Sequence, residues 1–165
     1  MIRTDLDRII VAARRHGTLA GVKLRFSRTT EQIFFHYPDG GVDHIPVAFR
    51  GTKRCTDGTE YDEFGPSRAP KSGFDAVVHT HQDRATAGSR HFPFPGTRDG
   101  VTPRRHSVPN YGISSIGAWV VRPGALLSVE LLDGAWGARF NPEAFARAIN
   151  RGGGDAAVGT SVVCR

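Results

Sequence analysis

The sequence predicts an α/β (α+β) fold in which a mixed central sheet is flanked by an N-terminal and a C-terminal helix. The length of 165 residues is typical of one domain, so residues 1–165 are expected to form a single domain. Hydrophobic residues make up 39% of the chain, which is enough to build a core. The 20 glycines and 10 prolines favour short strands joined by many turns over a helical bundle.

Residues 4 to 16 have the pattern of an amphipathic helix. Thr4 and Asp7 have the spacing of a capping box, and Gly17 is placed to end the helix. The apolar residues expected on the buried face recur at helical spacing: Leu6, Ile9, Ile10 and Ala13. A second helix is predicted after Asn141, because this residue is a favourable N-cap and Pro142 suits the first turn.

Alternating or continuous apolar residues predict short strands at residues 22–26, 33–37, 42–49, 76–78, 110–113, 118–122 and 126–132. The Pro-Asp-Gly-Gly turn at residues 38–41 predicts that the second and third of these form a hairpin. The last three are expected to form a meander. Residues 50–73 are polar and predict a long surface loop, and residues 82–108 predict another irregular stretch.

The chain is basic, with a formal net charge of +6 and a pI near 10.0. Such a balance favours nucleic acid, an anionic cell wall or a membrane surface as a partner. The arginines are scattered, however, and no block of like charge forms a nucleic-acid tail. Nucleic acid is therefore a less favoured partner than a protein or peptide.

The two cysteines, Cys55 and Cys164, are too few and too far apart for a structural zinc finger. One disulfide outside the cytoplasm and two buried thiols both fit this pattern. No stretch approaches the roughly 20 apolar residues of a membrane span. The N-terminus lacks the apolar region of a signal peptide, so the expected location is the cytoplasm of the producing cell, or export without a conventional signal peptide.

The chemistry of the chain is expected at His79-Thr80-His81, directly after the apolar run Ala76–Val78. Side chains two residues apart in a strand point to the same side, so His79 and His81 share one face. Two imidazoles on a rigid strand suit zinc, and a catalytic zinc site needs a third protein ligand and an open position. Trp119, by contrast, is expected in the core.

This segment resembles the apolar strand and His-Thr-His signature of the JAB/MPN (JAMM) metallopeptidase-like superfamily, which has a cytidine-deaminase-like architecture. Residues 108–113 and 117–122 also resemble a hairpin of JAB-like domains in bacterial polymorphic toxins and effectors. The resemblance implies one Zn²⁺ per chain, held by His79, His81 and Asp99. It also implies that Glu31 acts as the general base on the attacking water.

Three positions depart from the family pattern. Gln82 stands where the family has a proline. Gly96 stands where the family has a serine whose hydroxyl stabilises the oxyanion, so that role would fall to Thr97. The spacing from His81 to Asp99 is longer than in the family motif, so His91 or His106 could replace Asp99 as third ligand. Asp83 is too close to His81 to serve.

Three functions therefore compete. The first is a zinc-dependent peptidase or isopeptidase, a secreted toxin or effector with a cognate inhibitor or immunity protein as a partner. The second is a metal-dependent nuclease toxin that uses the arginines of residues 84–105 on phosphates. The third is a catalytically inactive MPN-like binding module, which the departures at Gln82 and Gly96 favour.

Overall fold

The structure is a computed structural model and describes residues 3–26, 31–54, 58, 60–81, 93–138 and 140–151. In these ranges the chain has an α+β fold with a mixed sheet, which confirms the predicted class. The helical elements are α1 (Asp5–His16), the 3₁₀ turn η1 (Thr97–Gly100), α2 (Val101–His106) and α3 (Pro142–Asn150). The strands are β1 (Thr18–Leu19), β2 (Val22–Lys23), β3 (Ile33–His36), β4 (Val42–Ile45), β5 (Val47–Arg54), β6 (Glu60–Pro66), β7 (Ala76–Thr80), β8 (Asn110–Ser114), β9 (Gly117–Arg122) and β10 (Ser128–Gly134).

Helix α1 forms as its sequence predicts. The Thr4 hydroxyl accepts a hydrogen bond from the Asp7 amide, and the Asp7 carboxylate accepts one from the Thr4 amide, so the capping box is present. Gly17 ends the helix in the left-handed region, at a φ of 75°. The buried face is rotated relative to the prediction, because Ile9 is 46% exposed whereas Val11 is buried.

The main sheet has the strand order β10-β9-β8-β7-β3-β4. The predicted β3–β4 hairpin and the β8–β9–β10 meander are both present as antiparallel pairs. Strand β7 pairs antiparallel with β3 but parallel with β8, so the chain must cross over between them. This crossover carries η1 and α2 and begins at the end of β7, where the histidines lie.

The sheet packs against helices on both sides. On one side, here called the α1 face, Ile10 and Val11 of α1 contact Phe34, Val78 and Tyr111 among others. On the other side, the α3 face, Phe145 and Ile149 of α3 pack with Val121, Phe94, Leu127 and Phe140. Neighbouring residues of one strand, such as Val120 and Val121, therefore belong to different cores.

Two predictions about the irregular stretches are wrong. Residues 50–73 were expected to form a loop, but most of β5 and all of β6 lie there as a separate two-stranded antiparallel sheet. Pro46 divides the strand predicted at residues 42–49 into β4 and β5, because proline cannot donate a ladder hydrogen bond. The second irregular stretch contains η1 and α2. The first strand, predicted at residues 22–26, is reduced to β2.

The C-terminal helix confirms one further prediction from the sequence. Helix α3 begins with Asn141 as N-cap, as predicted. Cys55, Cys164 and the glycines at 152–154 lie outside the described residues. Within the part of the chain that the structure describes, no helix is both long and apolar enough to span a membrane.

Candidate metal centre

His79 and His81 lie at the carboxyl end of β7, in the middle of the main sheet. His79 pairs with Ile33 of β3 on one side and with Gly112 of β8 on the other. His81 follows the last strand residue, and its backbone amide still donates to the Ile113 carbonyl at 2.8 Å. Because β7 is held from both sides, the two imidazoles project from a fixed backbone onto the α3 face.

Asp99 reaches the histidines through the crossover. It belongs to η1, in which its carboxylate accepts a hydrogen bond from the Gly96 amide at 3.2 Å. The next residue, Gly100, packs so tightly that an added Cβ would lie 2.5 Å from an Ile149 side-chain carbon of α3. The missing side chain at this position thus lets η1 sit against α3 with Asp99 directed at the sheet.

The three side chains form one compact group. Their candidate ligand atoms all lie within 4.8 Å of one another. The Nε2 atoms of His79 and His81 are 2.9 Å apart, and the Asp99 carboxylate oxygens lie 3.1 Å and 3.3 Å from them. Two ligands about 2.0 to 2.1 Å from a tetrahedral zinc ion would be separated by about 3.3 to 3.4 Å. The His79, His81 and Asp99 group therefore has the donors and the spacing to hold a metal ion.

Asn110, which the sequence analysis placed only in a strand, supports two of these ligands. Its side-chain oxygen lies 3.0 Å from Nδ1 of His79, and its Nδ2 donates to the Asp99 carbonyl at 3.0 Å. Since the amide nitrogen of Asn110 is used as a donor, its oxygen accepts from Nδ1–H of His79. This assignment leaves the Nε2 lone pair of His79 free for a metal ion.

The group is also a strongly coupled set of charges. Burial by itself would lower the pKa of His79, but the adjacent Asp99 carboxylate outweighs it and raises the pKa to about 9. Burial would likewise raise the pKa of Asp99, but His79 and His81 hold it well below its usual range. Without a metal ion, Asp99 is therefore ionised and is balanced by a protonated imidazole.

Glu31 lies next to the cluster. The β3–β7 register pairs Ile33 with His79, so two residues further along Glu31 comes opposite His81 on the same face. Thr80 extends this pairing, because its amide donates to the Gln32 carbonyl. Burial raises the pKa of Glu31, although the charges of His81 and His79 act in the opposite direction. A half-buried carboxylate beside the two histidines is suited to accepting a proton.

Trp119 forms a wall of the site and is more than the core residue that its sequence suggested. Its indole lies edge-to-face with His81, at 4.9 Å between ring centroids. It covers Gly112, where an added Cβ would lie 2.2 Å from a ring carbon. Gly112 and Trp119 can both be read from the sequence, but only the strand register shows that they lie next to the histidines.

The other candidates lie elsewhere. The His106 ring contacts the Phe74 ring, at 5.4 Å between centroids, and is not part of the His79, His81 and Asp99 group. His91, Asp83 and Gln82 lie outside the described residues, as does the side chain of Thr97. Glu63 reaches the rim of the site by pairing with Arg98 at 3.0 Å.

The arginines expected to contact phosphates are partly engaged within the protein. Arg98 is bound to Glu63, and a guanidinium nitrogen of Arg104 donates to the Ile149 carbonyl at the end of α3. Glu60 pairs with Arg54 on the β5–β6 hairpin. These pairings reduce the number of free cations near the site.

Comparisons of the chain with known proteins found no matching family model and no significantly similar curated protein or solved structure.

Proposed function

We propose that this protein is a zinc-dependent peptidase or isopeptidase-like hydrolase of JAB/MPN type, with one zinc ion per chain. The observation that carries the proposal is the buried group of His79, His81 and Asp99, with Glu31 on the same face. Two imidazoles and one carboxylate are a donor set of catalytic zinc sites, which keep a further position open. The parallel β7–β8 pair and the helices on both sides of the sheet are compatible with that architecture.

The chemistry divides between the ion and the chain. A bound zinc ion would lower the pKa of a water molecule and polarise a carbonyl group. Glu31 would accept the proton of the attacking water and deliver it to the leaving nitrogen. The C–O bond forms, the C–N bond breaks, and an amide yields a carboxylate and an amine. The proposed substrate is accordingly a protein or peptide.

The first test is the metal content of the purified chain by elemental analysis. We expect about one zinc per chain in the wild type and a loss in His79→Ala, His81→Ala and Asp99→Ala. His106→Ala is the matched control, because its ring contacts Phe74 instead of the cluster, and it should retain zinc. A wild-type chain that takes up no zinc, even when the apo protein is offered the metal, would contradict the proposal.

The second test separates hydrolysis from metal binding. We expect Glu31→Gln to keep its zinc and to lose at least about 100-fold in the rate of cleavage of peptide and isopeptide substrates. Glu60→Gln is the control, since Glu60 pairs with Arg54 away from the cluster. If zinc-loaded wild type and Glu31→Gln are equally inactive on such a panel, a binding module becomes the better account. Cleavage of nucleic acid that persists in Glu31→Gln would favour the nuclease.

A further inference from the structure

The indole nitrogen of Trp119 is a buried donor that makes no hydrogen bond within the described part of the chain. Trp119 is fully buried, and its Nε1 has no hydrogen-bond partner among the described residues. Buried N–H groups nearly always have a partner, because they lose their hydrogen bonds to water on folding. Because Trp119 lies beside the candidate metal centre, its unpaired N–H is available to a molecule that binds there.

The direction of the indole follows from the register of the sheet. Trp119 of β9 pairs with Gly112 of β8, and Gly112 pairs with His79 of β7. The ring lies over Gly112, since a Cβ on Gly112 would be 2.2 Å from Cε2, 2.4 Å from Cζ2 and 2.5 Å from Nε1. The side chain therefore extends across β8 toward β7, where it meets His81. Any side chain at position 112 would displace the nitrogen.

Around the cluster, several other donors of the described residues are already engaged. The Nδ1–H of His79 is bound to Asn110, and the Asn110 amide nitrogen is bound to the Asp99 carbonyl. The Gly96 amide donates to Asp99 itself. Glu31 and Asp99 are acceptors when ionised. The Trp119 N–H is thus the uncommitted donor among these groups.

We propose that the Trp119 indole N–H donates a hydrogen bond to the carbonyl oxygen of the amide substrate. This inference rests on the proposed function, because it needs a substrate in the open position of the metal centre. A donor fixed in a water-poor site holds its acceptor without reorganising, and it stabilises negative charge that develops on that oxygen. The substrate would thereby supply a partner that no described residue provides.

The test uses the two tryptophans as separate reporters. The chain has 2 Trp, so the ¹⁵N-labelled protein gives two indole N–H resonances, and Trp136→Phe assigns them. Acetohydroxamic acid, which offers a carbonyl oxygen to zinc, is titrated into the zinc-loaded wild type. We expect the Trp119 indole proton to move downfield, with a smaller change at Trp136, whose ring stacks on Phe140 and lies 6.3 Å from that of Trp119 between centroids.

Trp119→Phe removes the donor while keeping an aromatic ring. We expect this variant to retain one zinc and to bind acetohydroxamic acid about 5-fold to 10-fold more weakly. Unchanged affinity in the variant, or loss of its zinc, would overturn the inference, as would an unmoved Trp119 resonance in the wild type. If the variant does not fold, the shift of the Trp119 resonance in the wild type decides whether the inference holds. A wild type without zinc would instead overturn the proposed function and this inference with it.

Discussion

Asn110 contacts two of the candidate metal ligands. It accepts from His79 and donates to the carbonyl of Asp99, so its removal frees both to reorient. We predict that Asn110→Ala lowers zinc affinity by about 10-fold to 100-fold, as loss of an outer-shell partner does in other metal sites. Competition with a chromophoric chelator measures the change.

The control for this variant is Asn150→Ala. Asn150 also makes several hydrogen bonds, two of them to the backbone of Leu127, but it lies at the end of α3. It should lose stability and keep its zinc affinity. Equal loss of zinc affinity in both variants would mean that general destabilisation of the fold, and not loss of the contact with His79, lowers the affinity.

Asp7 is a buried charge on the opposite side of the sheet. Its carboxylate accepts hydrogen bonds from Tyr111 and Arg122, each at 2.7 Å, and from the Thr4 amide. We predict that Asp7→Asn lowers the free energy of unfolding by about 3 kcal/mol in urea titrations at pH 7, because it breaks a buried ion pair. Asp5→Asn, at an exposed position of the same helix, should change little.

The effect of Asp7 should depend on pH. Burial raises its pKa, but the hydrogen bonds from Arg122 and Tyr111 outweigh this and lower it below the ordinary 3.8. The stability that the carboxylate contributes is therefore complete above pH 3.8 and is lost as the pH falls through the lower folded value. The difference between wild type and Asp7→Asn should shrink below pH 4, as measured by urea unfolding. A constant difference would contradict the assignment.

At the scale of elements, the β5–β6 hairpin differs from the rest of the fold. It forms its own two-stranded sheet, and Phe49 on it is 59% exposed even though it pairs with Phe64. Two-stranded hairpins are only marginally stable. We predict that the backbone amides of β5 and β6 exchange with deuterium much faster than those of β7 and β8, as measured by mass spectrometry. Equal protection would show that the hairpin unfolds only with the whole domain.

The elements that the sequence predicts well are those with local causes. The capping box of Thr4 and Asp7 and the Asn141 start of α3 lie within a few residues of the structure they produce. The shared face of His79 and His81 follows from the period of a strand. The β5–β6 hairpin was missed because β5 and β6 carry many polar and charged residues and therefore lack clear apolar alternation.

The parts that the sequence could not predict depend on contacts between distant segments. Asp99 was named from a family resemblance, and only the crossover brings it to the histidines. The contact of Asn110 with His79 depends on the parallel β7–β8 pairing. The indole of Trp119 reaches His81 only because β8 has a glycine beneath it. Registers of this kind are not encoded in any single stretch of residues.

At the scale of the whole molecule, the main sheet lies between the buried Asp7 network and the candidate metal centre. The Asp7 network lies with the α1 face, whereas the candidate metal centre lies on the α3 face. Distant sites without shared partners contribute additively. We predict that Asp7→Asn leaves zinc affinity within about 2-fold of wild type and that zinc raises the melting temperature of both proteins equally. Calorimetry tests this, and a smaller rise in the variant would reveal coupling through the sheet.

The parallel pairing of β7 and β8 has a consequence for the order of folding. The chain must complete the connection between residues 81 and 110 before these strands can join, and closing such a connection is slow compared with forming a hairpin. We therefore expect His79, His81 and Asp99 to come together late, after the folding barrier has been crossed. Interactions formed after the transition state change the unfolding rate and leave the refolding rate almost unaltered. A bound ion would lengthen the lifetime of the native state without shortening the time needed to reach it.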